Sequence, residues 1–382
     1  VLKPDHIYET FGSVIGTQLA EQLARVKEPA FVHLGSHWLL ASLLAEIHVG
    51  HLNIAEALIE VQNVPLPTSK ILPELDLPKE ISRPLLAFSL DWSLSQDARF
   101  MDVGVDSREW YLQRLLPEEA TAIPRRLQHY DDPFDRSQLS VGLLELEWEL
   151  DDEWTEGGVS STSMSQAPRI TVTLIYPHRR SGTLPLTNRT RSFFPVREGK
   201  RSGITFVDGR WGQRFPGWVM PDGRYVCGLA DWYENHKLPV GAHVTLERTN
   251  DPTEVVIDFK PHRMKREWVR MARVENNQLA FQLQKKEIAC DYDENIVFAE
   301  ADPIAIDELR RATYRRNPSI NELLEQLAPG LMGLSTQGSV HVATLYSAIN
   351  LLRRTAPGPV FVALTSSPRF RDLGGGLFAL AR

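Results

Sequence analysis

The chain has 382 residues, 42% apolar and 24% charged, an ordinary globular balance that excludes disordered and fibrous classes. Its length points to two or three domains, and with no run of about 18 apolar residues a transmembrane helix is excluded. The net charge of −7 is uneven: residues 169–273 hold 19 basic and 10 acidic residues, net +9, and the remainder holds 23 basic and 39 acidic. A basic block between acidic flanks points to a segment that meets a polyanion; the competing reading is solvated charge. Residues 1–5 show no signal pattern, and the start at Val1 rather than Met leaves room for residues upstream. Cys227 and Cys290 cannot form a disulfide framework, and no Cys/His cluster has zinc spacing. The expectation is a cytoplasmic protein, nucleoid-associated if bacterial, without metal or cofactor.

In chain order, residues 1–116 read mainly helical. A helix over 14–27 precedes an apolar hairpin. Residues 44–61 carry apolar side chains at helical spacing. A short helix over 68–75 follows Pro65 and Pro67, and another over 82–94 tolerates Pro84 in its first turn. Residues 138–154 form an acidic segment with leucines at helical spacing. Residues 156–168 are rich in Gly, Ser and Thr and read as a flexible linker. From 169 to 300 the pattern changes to short β-branched and aromatic runs separated by turns, with a short helix over 230–237. Residues 303–354 return to helix, with Ser319 and Glu322 as a capping box and a long helix over 341–354.

A pattern of Phe, Gly, aromatic and Leu occurs three times: Phe31, Gly35, Trp38 and Leu40; Phe100, Gly104, Trp110 and Leu112; Phe370, Gly374, Phe378 and Leu380. Each reads as a hairpin whose Gly permits positive φ and whose returning strand places an aromatic on the core face. These residues are core and turn residues rather than ligands. Helices followed by such a hairpin form the winged-helix layout. Residues 52–112, with Arg99, Phe100, Gly104, Trp110 and Leu112, resemble the HARE-HTH domain and the winged-helix domain of the delta subunit of bacterial RNA polymerase. The third copy, over 305–382, departs by inserting 355–366 between its long helix and its hairpin. The first copy lacks room for two upstream helices. The helices over 14–27 and 83–94 carry little positive charge, and phosphate contact dominates DNA affinity, so these two read as protein-contact or spacer modules.

The basic block contains an "LP…F" entry at Leu184, Pro185 and Phe193. It continues with Ile204, Phe206, Asp208 and Trp211, then Tyr225 and Val226, then Leu238, Gly241 and Val244. Over 184–259 this order is similar to the DNA-binding pseudobarrel of plant transcription factors of the auxin-response type, a fold that also serves some restriction endonucleases as an effector domain. The resemblance implies two loops that grip the major groove. By position the first runs over 178–191, with Arg179, Arg180, Asn188, Arg189 and Arg191. The second runs over 218–225, with Trp218, Arg224 and Tyr225. Arginine can donate bidentately to guanine or phosphate, and Asn can read adenine. A grip through these arms requires the acidic flanks to face away from them. A second basic run over 260–270 holds Arg263, Lys265 and Arg266 with Trp268, an aromatic-plus-basic mix that suits a nucleic-acid backbone or, equally, a strand edge or helix with a solvated face. These three cations, with Arg353 and Arg354 at the end of the 341–354 helix, are secondary DNA-binding candidates.

Sequence signatures of nucleotide-binding, hydrolase and metalloprotease sites are absent. Asp258, Lys260 and Asp222 have the residue types of a metal-dependent nuclease, but Asp222 also sits in an ideal Pro-Asp-Gly turn. The expected fold is α+β and multidomain. It comprises a partial winged-helix unit (1–43), a winged-helix domain (44–116), an acidic helical segment and linker (117–168), a mainly-β basic pseudobarrel-like domain (169–302) and a second winged-helix domain (303–382). The expected function is non-enzymatic binding of double-stranded DNA, transcriptional or nucleoid-associated. The alternatives are a scaffold whose winged helices bind protein partners, and a nuclease or subunit of a DNA-processing enzyme.

Overall fold

A switch from helical to two-residue apolar spacing and back makes this a mixed α+β protein. The computed structural model describes residues 4–24, 31–105, 107–155, 167–197, 199–299 and 302–381. Two compact units divide at residue 115. Among the described residues no helix is long and apolar enough to cross a membrane.

The first unit opens with α1 (Pro4–Ala24) and the hairpin β1 (Phe31–Leu34) and β2 (His37–Leu40). Arg25 and Lys27, expected at the end of the first helix, lie outside the described residues. Then come α2 (Val49–Gln62), β3 (Leu66–Pro67), α3 (Thr68–Ile71) with a 3-10 turn at Leu72–Glu74, α4 (Arg83–Gln96), β4 (Phe100–Asp102) and β5 (Glu109–Leu112). Asn63 stops α2 in the left-handed conformation at φ 50°, a position Asn tolerates. The three strands order as β3-β5-β4, and Ile59, Leu90, Leu94, Trp110 and Leu112 close the core beneath them. Asp91 fixes that core: it accepts hydrogen bonds from Trp110 Nε1 at 2.7 Å and from the Thr68 hydroxyl.

The three hairpins are not equivalent. Trp110 and Phe378 are buried, whereas Trp38 is 42% exposed and stacks on His33. Gly35 and Gly374 have φ of 64° and 84°, but Gly104 is needed for a different reason. A Cβ there would stand 1.8 Å from the Ser107 carbonyl oxygen and 2.6 Å from the Glu109 nitrogen, both backbone atoms. Gly104→Ala is therefore expected to destabilise the first unit by about 2 kcal/mol or more. Faster amide exchange across 100–112 would register it, and unchanged protection would refute it.

The second unit begins with α5 (Glu118–Thr121) and α6 (Val141–Leu150). Most of the expected linker, residues 156–166, lies outside the described residues. Next follow β6 (Arg169–Thr173), α7 (Tyr176–Ser181), β7 (Thr183–Pro185), β8 (Ser202–Asp208), β9 (Arg214–Met220), β10 (Tyr225–Cys227), α8 (Ala230–Asn235), β11 (His243–Arg248) and β12 (Glu254–Phe259). These seven strands form one strongly curled half-barrel sheet in the order β6-β11-β12-β8-β9-β10-β7. Only β12 and β8 pair in parallel. Phe206, Val226, Tyr233, Val244, Leu246 and Ile257 fill the hollow.

A long two-stranded ribbon leaves the half-barrel: β13 (Pro261–Glu275) and β14 (Gln278–Cys290), joined at Asn276 and Asn277. Both asparagines have positive φ, 48° and 61°, the geometry that lets a two-residue turn follow the right-handed strand twist. Val269, Met271 and Ile288 on the ribbon enter the half-barrel core, and Ala272 and Leu279 enter the helical core. The ribbon thus ties both cores into one unit.

The chain ends with α9 (Pro303–Arg316), α10 (Ile320–Met332), β15 (Ser339–His341), α11 (Val342–Leu352), α12 (Pro357–Ser366), β16 (Phe370–Gly374) and β17 (Leu377–Leu380). The capping box at Ser319 and Glu322 opens α10. The segment 355–366, expected as an insertion, is largely helix: Pro357 occupies the first turn of α12, where its missing N–H costs nothing. From α10 onward the order is helix, strand, helix, helix and hairpin, with strands ordered β15-β17-β16. From α2 onward the first unit has the same order, with strands ordered β3-β5-β4. The helix over 342–352 corresponds to α3, and every one of its residues is buried.

Candidate nucleic-acid interface

The two expected arms are not free loops. Arg179 and Arg180 belong to α7, and Arg191 to a 3-10 turn at Thr190–Phe193. Arg179 donates through Nε to the Leu238 carbonyl at 2.6 Å and through Nη1 to Glu234 at 2.9 Å. Arg180, Asn188 and Arg191 are exposed. In the second arm Trp218 and Tyr225 are buried, at 1% and 0% exposure. A residue that water cannot reach cannot touch a groove in this conformation, so both are core residues here.

An acidic segment of the same chain lies against these arms. Thr187 donates its hydroxyl to Asp151 at 2.8 Å, and Arg189 Nε stands 3.9 Å from the same carboxylate. His178 Nε2 meets Glu153 at 3.2 Å. Arg224 donates to the Glu153 carbonyl at 3.0 Å and stacks over Trp154 at 4.4 Å. Tyr225 donates to the Glu119 carbonyl at 2.6 Å. The requirement that the acidic flanks face away from the arms fails.

Behind these contacts is a buried ionic core. Arg354, fully buried, pairs with Asp152 at 2.6 Å and Glu153 at 2.7 Å, and donates to Asn350 Oδ1 at 3.0 Å and the Thr355 carbonyl at 2.7 Å. Tyr346 donates its hydroxyl to Asp152. Burial pushes the Asp152 carboxyl up. Burial also acts on Glu153, but the Arg354 guanidinium and His178 outweigh it and hold that carboxyl well below the usual range. Burial pushes Asp151 up to about 6. Arg353 is 5% exposed and donates to the Pro318 carbonyl and to Asp132, each at 2.5 Å. Arg353 and Arg354 are thus core ion-pair residues; their guanidinia have no path to a phosphate.

The second basic run is placed differently. Arg263, Lys265 and Arg266 lie exposed on β13. The register sets Arg266 opposite Glu287 and Trp268 opposite Lys285. One ribbon face, with Val269, Met271 and Ile288, packs inward, so alternation turns Arg266, Trp268, Leu283 and Lys285 outward. Trp268 is 61% exposed, and the Lys285 ammonium sits 5.1 Å from its ring centre. Arg266 donates to Glu287 at 3.1 Å. Among the described residues no carboxylate lies within ion-pair distance of Arg263, Lys265 or Lys285. Lys286, on the inward face, is pushed down to about 8 by burial and by the nearby Arg179, which places α7 beside the ribbon.

Trp268 belongs to the second basic run, but Lys285 is not among the residues the sequence singles out. The signal that could have found it is the Asn276-Asn277 turn between alternating runs, which pairs the two strands and brings Lys285 to Trp268. The nuclease-like residues do not assemble: Asp258 accepts from the Phe259 amide at 2.8 Å, Lys260 pairs with Asp291 at 2.8 Å, and Asp222 sits in the turn before Arg224. Among the described residues no three His, Cys, Asp or Glu side chains are grouped to hold a metal. No family model matches the chain, and neither does any curated protein or solved structure.

Proposed function

We propose that the protein binds double-stranded DNA in a transcriptional or nucleoid-associated role, and that it does so through the exposed cations of the β13–β14 ribbon rather than through the arms. The observation that carries this reading is the exposed Arg266 and Lys285 beside an exposed Trp268 on the outer face, with Arg263 and Lys265 exposed on the same strand and Glu287 as the carboxylate paired to Arg266. Cations without internal partners lose little by meeting phosphates, and each contact releases condensed counterions. The half-barrel, with seven strands and short helices α7 and α8, fits the order of a DNA-binding pseudobarrel. The two helix–strand–helix–helix–hairpin segments fit the winged-helix layout.

A second reading concerns those two segments. Their third helices, α4 and α12, carry one basic residue between them, Arg83. That favours protein partners over phosphate for the winged-helix modules, as a scaffold would use them.

The test is binding of the full chain to a mixed-sequence duplex at 50 and 200 mM salt by fluorescence anisotropy. About four phosphate contacts predict a loss on the order of a hundredfold across that range. Absence of binding at 50 mM, or binding that ignores salt, removes the proposal.

A further inference from the structure

A cleft of about 780 Å³ opens between the Asp222–Arg224 turn, the 123–134 segment, Trp154 and the helices α9 and α12. Its size falls within the range of small-ligand sites. Its walls are aromatic: Tyr130, Phe134, Trp154 and Tyr314 all line it. The protein already uses the inner rings to hold its own cations. Arg353 lies over Tyr130 at 4.3 Å, and Arg224 over Trp154 at 4.4 Å. The outer rings are open, with Tyr314 at 55% and Phe134 at 39% exposure.

The charge of the cleft is lopsided. Three carboxylates line it, those of Asp131, Asp132 and Asp222, against one guanidinium, Arg224. Asp132 is satisfied by Arg353 and by the Thr355 hydroxyl. Asp131 and Asp222 are exposed, and among the described residues neither has an ion-pair partner. A polyanion would be repelled here, so this cleft is separate from the ribbon surface. Open aromatic faces beside unpaired carboxylates suit a cation. A planar guanidinium suits them best, because it can stack on a ring and fork to a carboxylate at once.

We infer that this cleft is a binding site for a guanidinium-bearing ligand, such as an arginine side chain, which stacks on the open Tyr314 ring and pairs with Asp131 and Asp222. The probe is N-acetyl-arginine amide, titrated into the full chain by calorimetry. N-acetyl-citrulline amide serves as the uncharged isostere and N-acetyl-glutamate amide as the anion. The expected dissociation constant is about 1 mM or tighter, with citrulline at least about tenfold weaker and the glutamate probe not binding. The double variant Asp131→Asn/Asp222→Asn and the variant Tyr314→Ala should each weaken arginine binding about fivefold or more. All three positions are exposed, so unchanged thermal unfolding should accompany the loss. The inference is overturned by no saturable arginine binding, by equal affinity for citrulline or glutamate, or by variants that bind as the parent does.

Discussion

Replacing Arg354 with alanine is expected to cost the second unit about 3–5 kcal/mol, enough to abolish much of its stability. The guanidinium is fully buried and is the cation shared by Asp152 and Glu153. Removing it leaves two adjacent carboxylates in a dry site. The remaining His178 contact reaches Glu153 alone. The deficit has a definite pH dependence. Without Arg354, burial raises both carboxyl pKa values above their unfolded values. A raised carboxyl contributes stability that is present below the unfolded pKa and lost as pH rises through the folded one. The variant should therefore be weakest at neutral pH and recover towards pH 5, and the parent should not share that recovery to the same extent. Urea unfolding followed by circular dichroism at pH 5 and pH 7 measures both quantities. Adding Asp152→Asn and Glu153→Gln to Arg354→Ala should restore a large part of the loss, since the orphaned charges are gone. A loss under about 1 kcal/mol for Arg354→Ala would show that water reaches this core and solvates its charges.

The second large effect concerns the ribbon. Changing Arg263, Lys265, Arg266 and Lys285 together to glutamine should weaken duplex binding at low salt by about a hundredfold or more and flatten the salt slope by about 3 to 4. All four side chains are exposed, and Val269, Met271 and Ile288 anchor the ribbon in the half-barrel core, so unfolding should be little changed. The comparison variant is Arg179→Ala, which removes contacts to Leu238 and Glu234 within the protein and should leave the salt slope nearly unaltered. Equal loss in both variants would return the interface to α7. No loss in either would leave the scaffold reading.

The sequence by itself determined the local elements of this protein. Apolar spacing marked α2, α4 and α6, and β-branched runs marked β6, β8, β11 and β12. The Ser319–Glu322 pair marked the start of α10, and the charge excess of residues 169–273 marked the cationic segment. Each of these rests on interactions within a few residues, or on composition, and so can be read in one dimension. Tertiary structure decided which cations are surface and which are core. Arg353 and Arg354 look like Arg263 and Lys265 on paper, yet Asp132, Asp152 and Glu153 reach the first two from about 200 residues away and draw them inside. The same distant segment seals Thr187, Arg189 and Arg224, which neither motif order nor loop composition could reveal. Pairing across the Asn276–Asn277 turn sets Lys285 against Trp268. Register, a long-range property, decides which side chains of a strand share a face and which of those faces meets solvent.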